Sequence, residues 1–157
     1  MRSTLILHST LLLALLLELL LFPSISPTYY PNWVLLFVCA WALFLPHTVN
    51  IGTAFTYGIL LDILQGTVLG SQALALSVAA YLFAAYSRRI KNLSLWQQAF
   101  GIAAHSGLIT QIKFLNTYIS SSAVFNLNML WSIPINALTW LPVYFVVQNM
   151  REASVTK

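Results

Sequence analysis

Charged residues are scarce in this chain and make up 6% of its 157 residues. Soluble domains carry charge on about a quarter of their residues, so the composition argues against a water-soluble fold. Cysteine is almost absent, because Cys39 stands alone, which excludes an internal disulfide and a multi-cysteine metal site. Apolar residues are abundant instead, at 59% of the chain with a mean hydropathy of +0.82. We interpret the chain as an integral membrane protein.

Motifs that carry chemistry are also missing. The sequence has neither the His-Glu-x-x-His pattern of zinc hydrolases nor the Gly-x-Ser-x-Gly turn of serine hydrolases. The glycines between residues 52 and 70 lack the Lys-Ser or Lys-Thr that follows a phosphate-binding loop. His105 has no second histidine or carboxylate at ligand spacing. We therefore expect no catalytic residue, no metal and no cofactor, and we rank an intramembrane enzyme last.

Six apolar runs are candidates for membrane-spanning helices, each of which needs about 20 residues. The first is interpreted as a retained helix, because no Ala-x-Ala cleavage site follows it. The third is short, and a re-entrant segment is the alternative for it. We predict an all-α single transmembrane domain over residues 1–157, with helices near residues 4–22, 33–45, 51–64, 71–86, 97–119 and 127–147.

The Lys and Arg residues indicate how these helices are oriented. Six of the seven precede the first predicted helix or follow the fourth and the sixth. The loops after helices one, three and five have none. Cytoplasmic loops are enriched in these residues, so we predict that both termini are cytoplasmic.

Small or polar residues recur at every fourth position in and after the third predicted helix: Ala54, Gly58, Asp62, Gly66 and Gly70. Residues four apart are neighbours on a helix, and small residues let helices approach closely in lipid. A carboxylate is costly to place against lipid, so we expect Asp62 to face another helix or a cavity. The stripe is predicted to be a packing surface, within this chain or towards a partner.

Other polar residues fall in the predicted outer half of the membrane. They are Glu18 and Lys113, near the ends of helices one and five, and Asn128, Ser132 and Asn136 on helix six. Three interpretations stay open for this polar layer: packing in which Asp62 pairs with Lys113 or Asn136, a surface for another membrane protein, and a pocket for a substrate, ion or proton. Glu18 and Lys113 are expected to extend towards the lipid headgroups.

Several motifs between residues 31 and 70 carry a family resemblance: Pro31-Asn32, Pro46-His47, Asn50, Gly52, Gly58-x-x-x-Asp62 and Leu69-Gly70. In this combination they resemble MreD, the rod shape-determining inner-membrane family of bacteria. Residues 92–99, NLSLWQQA, are similar to the corresponding loop and helix start of Gram-negative members. By this resemblance the residues of interest are Gly58, Asp62, Gly66 and Gly70, with Pro31 and Asn32, as helix-packing or partner contacts.

The resemblance implies a fold similar to the six-helix membrane S-component of energy-coupling-factor vitamin transporters. It also implies a place in the elongation complex that inserts lateral peptidoglycan. The implied partners are an MreC-like membrane-anchored periplasmic protein, an MreB-like actin filament and the wall synthases. These synthases are a RodA-like glycosyltransferase and a class B penicillin-binding transpeptidase.

Two functions from different classes are therefore expected. The first is a non-enzymatic scaffold, multi-pass in the bacterial inner membrane, which supports rod shape by packing its helices against partner proteins and lipids. The alternative is a transport subunit that binds a small solute or a lipid, with an outer pocket lined by Asp62, Asn128, Ser132 and Asn136. Neither function involves nucleic acid.

Overall fold

The computed structural model describes residues 2–21, 31–121 and 130–155, and helices joined by short turns account for these residues. In chain order the helices are α1 (Arg2–Leu21), α2 (Trp33–Phe44), α3 (Ile51–Gln65), α4 (Ser71–Ala85), α5 (Ser87–Lys91), α6 (Leu95–Ser121) and α7 (Ser132–Val155). Within those ranges there is no strand, so the prediction of an all-α chain is confirmed there.

The predicted helices correspond to all of these except α5. The bounds of α2, α3 and α4 differ from the prediction by one residue at their carboxyl ends. The predicted end of the last helix at residue 147 is wrong, because α7 continues to Val155 through residues with good helix propensity. Its predicted start at residue 127 lies outside the described residues. The five-residue helix α5, which carries Arg88, Arg89 and Lys91, was not predicted.

Helix α2 lies at the centre of the bundle. All of residues 34–44 are buried, and α2 packs against α1, α4 and α7. A helix that is apolar on every side requires such surroundings. Its 12 residues span only about 18 Å at 1.5 Å each, against about 30 Å for the hydrocarbon core. Because α2 is surrounded by protein, the unpaired backbone groups at its ends must form hydrogen bonds with groups from neighbouring helices.

Large apolar side chains cover the outside of the bundle. Leu12, Leu13 and Leu16 of α1, and Leu74 and Val78 of α4, are all at least 50% exposed. Outward apolar faces of this extent are typical of a protein that is surrounded by lipid or by other protein. By length and apolarity, residues Thr4–Leu21 of α1 could cross a membrane, whereas α2, α3 and α4 are apolar but shorter. The count of six spans stays a prediction.

Candidate functional site: two carboxylates at helix ends

Asp62 lies in the last turn of α3, and its side chain is completely buried. Its carboxylate points at the start of α4. Backbone N–H groups of Gly70 and Gln72 donate to it at 2.9 Å and 3.1 Å, and that of Ala73 donates at 3.4 Å. Hydroxyl groups from Thr67 and Ser71 donate to Oδ1, at 2.6 Å and 3.2 Å. The acid therefore caps the amino end of the next helix.

This arrangement explains how a carboxylate can be buried here. The first N–H groups of a helix have no partner within the helix, and the helix dipole makes that end positive. Gly70, the N-cap residue of α4, has no side chain to accept a hydrogen bond. Asp62 supplies the missing acceptor from the preceding helix.

The two glycines after Asp62 form the turn and do not pack against a helix. Gly66 ends α3 with a φ of 64°, and Gly70 precedes α4 with a φ of 95°. This left-handed region is unfavourable for residues with a Cβ. A Cβ on either glycine would meet nothing within 4 Å. The expectation that Gly66 and Gly70 continue the packed stripe is wrong, because the helix ends before them.

Gly58, by contrast, is at a close approach between two helices. A Cβ placed on it would lie 2.7 Å from the backbone nitrogen of Ala73 and closer still to the Ala73 Cα. Ala54, one turn earlier, is also buried. The stripe therefore packs inside this chain, where it brings α3 against α4.

Glu18 forms a similar contact at the amino end of α2. It lies in the last turn of α1, is 1% exposed, and its Oε2 accepts a hydrogen bond from the Val34 backbone N–H at 3.0 Å. Val34 is in the first turn of α2, where Asn32 provides no side-chain cap. The expectation that Glu18 extends to the headgroups is wrong, because its carboxylate is buried at this helix end.

Two glutamines connect the carboxylates. The Gln72 side chain donates to Oε1 of Gln65 at 2.7 Å, and the Gln65 amide donates to Oε1 of Glu18 at 3.4 Å. Since the Gln72 backbone N–H is also bound to Asp62, the chain of contacts runs from α4 through α3 to α1. Sequence reasoning missed both glutamines. Their positions in the last turn of α3 and the first turn of α4 were the available signal.

The remaining predicted residues are placed separately. Asn136 of α7 is fully buried, and its Oδ1 accepts the Asn32 backbone N–H at 2.8 Å, just after Pro31. Ser132 contacts Thr110 of α6 through their hydroxyl groups at 3.1 Å. Asp62 therefore binds the start of α4, and Asn136 binds Asn32 instead of Asp62. Asn128 and the side chain of Lys113 lie outside the described residues.

The geometry favours a structural role for both acids. Each carboxylate is bound to the amino end of a helix. Among the residues described, no three His, Cys, Asp or Glu side chains are grouped as a metal site would require. His105 is buried and its Nε2 contacts the carbonyl oxygen of Ala75 at 3.1 Å, which connects α6 to α4. These polar side chains hold the helices to one another.

Comparison with known proteins gives two findings. The model of the rod shape-determining protein MreD family matches residues 1–150 of this chain. A curated rod shape-determining protein MreD from Haemophilus influenzae (strain ATCC 51907 / DSM 11121 / KW20 / Rd) is 29% identical over 143 residues, which is 91% of this chain and 88% of that protein. No solved structure matches this chain.

Proposed function

Because the chain belongs to the MreD family of rod shape-determining proteins, we propose that it acts as a non-enzymatic scaffold in the bacterial inner membrane. In this role it would hold the complex that inserts lateral peptidoglycan by presenting rigid helix faces to the membrane segments of its partners. The partners we propose are an MreC-like protein, an MreB-like filament, a RodA-like glycosyltransferase and a class B penicillin-binding transpeptidase.

The observation that supports this proposal is that the two buried carboxylates cap helices of this chain. Glu18 and Asp62 each bind the amino end of another helix, at 3.0 Å from Val34 N and 2.9 Å from Gly70 N. A buried acid that serves a reaction or a ligand needs a free face, whereas these serve to fix α2 and α4. Rigid helices with apolar outward faces suit lateral packing against other membrane proteins.

The test is the recovery of the complex in membranes that carry Asp62→Ala. Loss of the carboxylate leaves the N–H groups of Gly70 and Gln72 unpaired, so we expect the α3–α4 hairpin to loosen and the MreC-like partner to co-purify poorly. Asp62→Asn is the matched control, because its amide oxygen still accepts one of these bonds. Complex yield is measured per molecule of inserted protein. An undiminished yield together with normal rod shape would contradict the scaffold role.

The alternative function, a transport subunit that binds a small solute or a lipid, has one observation in its favour. The Asn136 side-chain nitrogen is buried, and it has no hydrogen-bond partner among the described residues. Such a donor could serve a bound molecule near the start of α2. Saturable binding of a vitamin-like solute or lipid to the purified protein, lost in Asn136→Leu, would favour this alternative over the scaffold.

A further inference from the structure

Positive charge is concentrated at the carboxyl end of α2, around the ring of Phe44. The Lys91 Nζ of α5 and the Arg151 Cζ of α7 each lie 5.8 Å from the centre of this ring. The Arg151 charge is close enough to lower the pKa of Lys91. Two cations from distant parts of the chain are thus held near each other, although like charges repel. We refer to Phe44, Lys91 and Arg151 as the basic cluster.

Acidic side chains are fewer than basic ones at this end of the bundle. The chain has three, and two of them, Glu18 and Asp62, are bound at the amino ends of α2 and α4, away from the basic cluster. The third, Glu152, is exposed and accepts a hydrogen bond from a glutamine of its own helix. Arg88 and Arg89 of α5 add two further positive charges. This end of the bundle therefore has an excess of positive charge, which attracts anions.

Membrane topology alone does not account for the basic cluster. The enrichment of Lys and Arg in cytoplasmic loops concerns their presence in a loop and not the place of each side chain. Arg88 and Arg89 meet that condition with exposed side chains. Lys91 and Arg151 differ, because they converge on one ring from two separate helices. Basic residues that converge between helices at a membrane surface are typical of sites for lipid headgroups.

Exposed apolar side chains lie next to the basic cluster. Val146 and Met150 of α7 are 43% and 37% exposed, and Met150 directly precedes Arg151. Being four residues apart, they lie on one face of α7, in a line that leads towards the charges. Trp96, 71% exposed, follows Lys91 by five residues, and tryptophan is enriched where membrane meets water. A phospholipid uses both kinds of surface, whereas an acidic protein segment needs only the charges.

From these observations we propose that the basic cluster binds the phosphate of an anionic phospholipid. Lys91 and Arg151 donate hydrogen bonds to the phosphate oxygens, for which the planar guanidinium is well suited. One acyl chain lies along Val146 and Met150. The bound phosphate offsets the repulsion between the two cations and connects α5 to α7. The site depends on the membrane placement proposed above and adds a ligand to the scaffold.

Native mass spectrometry of the purified full chain tests this site. The probe is dioleoyl-phosphatidylglycerol, and dioleoyl-phosphatidylcholine, which has the same acyl chains and no net charge, is the control lipid. We expect the wild-type protein to retain phosphatidylglycerol in preference. Lys91→Gln and Arg151→Gln should each raise its apparent dissociation constant about tenfold, as expected for loss of a hydrogen bond to a charged group.

Two further variants separate the site from general effects. Arg89→Gln removes the same charge from an exposed position outside the basic cluster and should change the binding far less. Lys91→Arg keeps the charge and should retain the lipid. Its retention together with the loss in Lys91→Gln would show that charge at this position binds the lipid, because a folding defect would lower the thermal unfolding temperature measured without lipid.

Four results would overturn the lipid site. They are equal weakening by Arg89→Gln, equal retention of phosphatidylcholine, displacement of the lipid by inorganic phosphate at the same concentration, and unchanged lipid binding in both glutamine variants. The third would assign the basic cluster to free phosphate. Unchanged lipid binding with loss of a co-purifying protein would assign it to a protein partner. If the lipid preference is absent while the MreC-like partner still co-purifies, the lipid site is refuted and the scaffold stands.

Discussion

At the residue scale, Gly58 decides how closely α3 and α4 approach. Any side chain at this position would collide with the Ala73 backbone, which cannot move without displacing α4. Gly66 and Gly70 serve a different purpose, since they supply the left-handed conformations of the turn. Glycines that looked equivalent at four-residue spacing therefore fall into two physical classes, one for helix packing and one for backbone conformation.

The two classes can be separated by single substitutions. We expect Gly58→Ala to destabilise the protein by about 1–3 kcal/mol, because the added methyl overpacks the contact. Gly101→Ala on α6 is the matched control and should leave stability nearly unchanged, since its Cβ meets nothing within 4 Å. Thermal unfolding in detergent measures both. Equal unfolding temperatures for the two variants would contradict the close approach at Gly58.

At the element scale, two helices have their first N–H groups capped by side chains from other helices. The first turn of α2 binds Glu18 of α1, and the first turn of α4 binds Asp62 of α3. Asn136 of α7 also accepts an N–H group at the start of α2. Because α2 is buried, water cannot accept hydrogen bonds from these N–H groups. The neighbouring helices must therefore provide the acceptors. Capping across helices thereby fixes where the elements lie along one another.

A comparison of two variants at position 18 tests this capping. Glu18→Leu leaves the buried Val34 N–H without its acceptor, and we expect a loss of about 2 kcal/mol. Glu18→Gln retains an acceptor oxygen for that N–H and should be closer to the wild-type protein in stability. Unfolding by urea or detergent, monitored by tryptophan fluorescence, gives the order of stability of the two variants and the wild-type protein. Finding the glutamine variant as unstable as the leucine variant would contradict the view that the Val34 hydrogen bond is what stabilises the protein here.

At the scale of the whole molecule, acidic and basic groups lie at opposite ends of α2. Glu18 is at its amino end. At its carboxyl end the Lys91 Nζ and the Arg151 Cζ both lie 5.8 Å from the centre of the Phe44 ring. Burial lowers the pKa of Lys91, and the nearby Arg151 charge lowers it further. The basic segments after α4 and in α7 thus meet at one end of the bundle, as expected if that end faces the cytoplasm.

The predicted orientation can be measured directly with single cysteines in a Cys39→Ala background. We expect Ser3→Cys and Ser154→Cys to react with a membrane-impermeant maleimide only after the inner membrane is opened. Ser26→Cys, in the loop after the first predicted helix, is the control and should react in spheroplasts. Labelling of position 154 from outside, with position 3 still protected, would refute an even number of spans and, with it, the six-helix arrangement.

The positions of the helices were determined by the sequence alone, because apolar runs and the Gly and Pro residues between them act locally. The bounds of α2, α3 and α4 followed to within one residue. The sequence also indicated that Asp62 is not exposed to lipid, since the cost of a carboxylate there is general. The short helix α5 was missed because its basic residues have no apolar periodicity.

Only the tertiary structure decided what the buried polar groups contact. Glu18 and Val34 are 16 residues apart, and Asn32 and Asn136 are 104 apart, so these pairs depend on how the helices pack. Periodicity along one helix identifies a face but carries no information about which helix end lies opposite it. Asp62 was therefore predictable as buried and Glu18 was not, and the role of both acids as caps of α2 and α4 followed from the packing of the bundle.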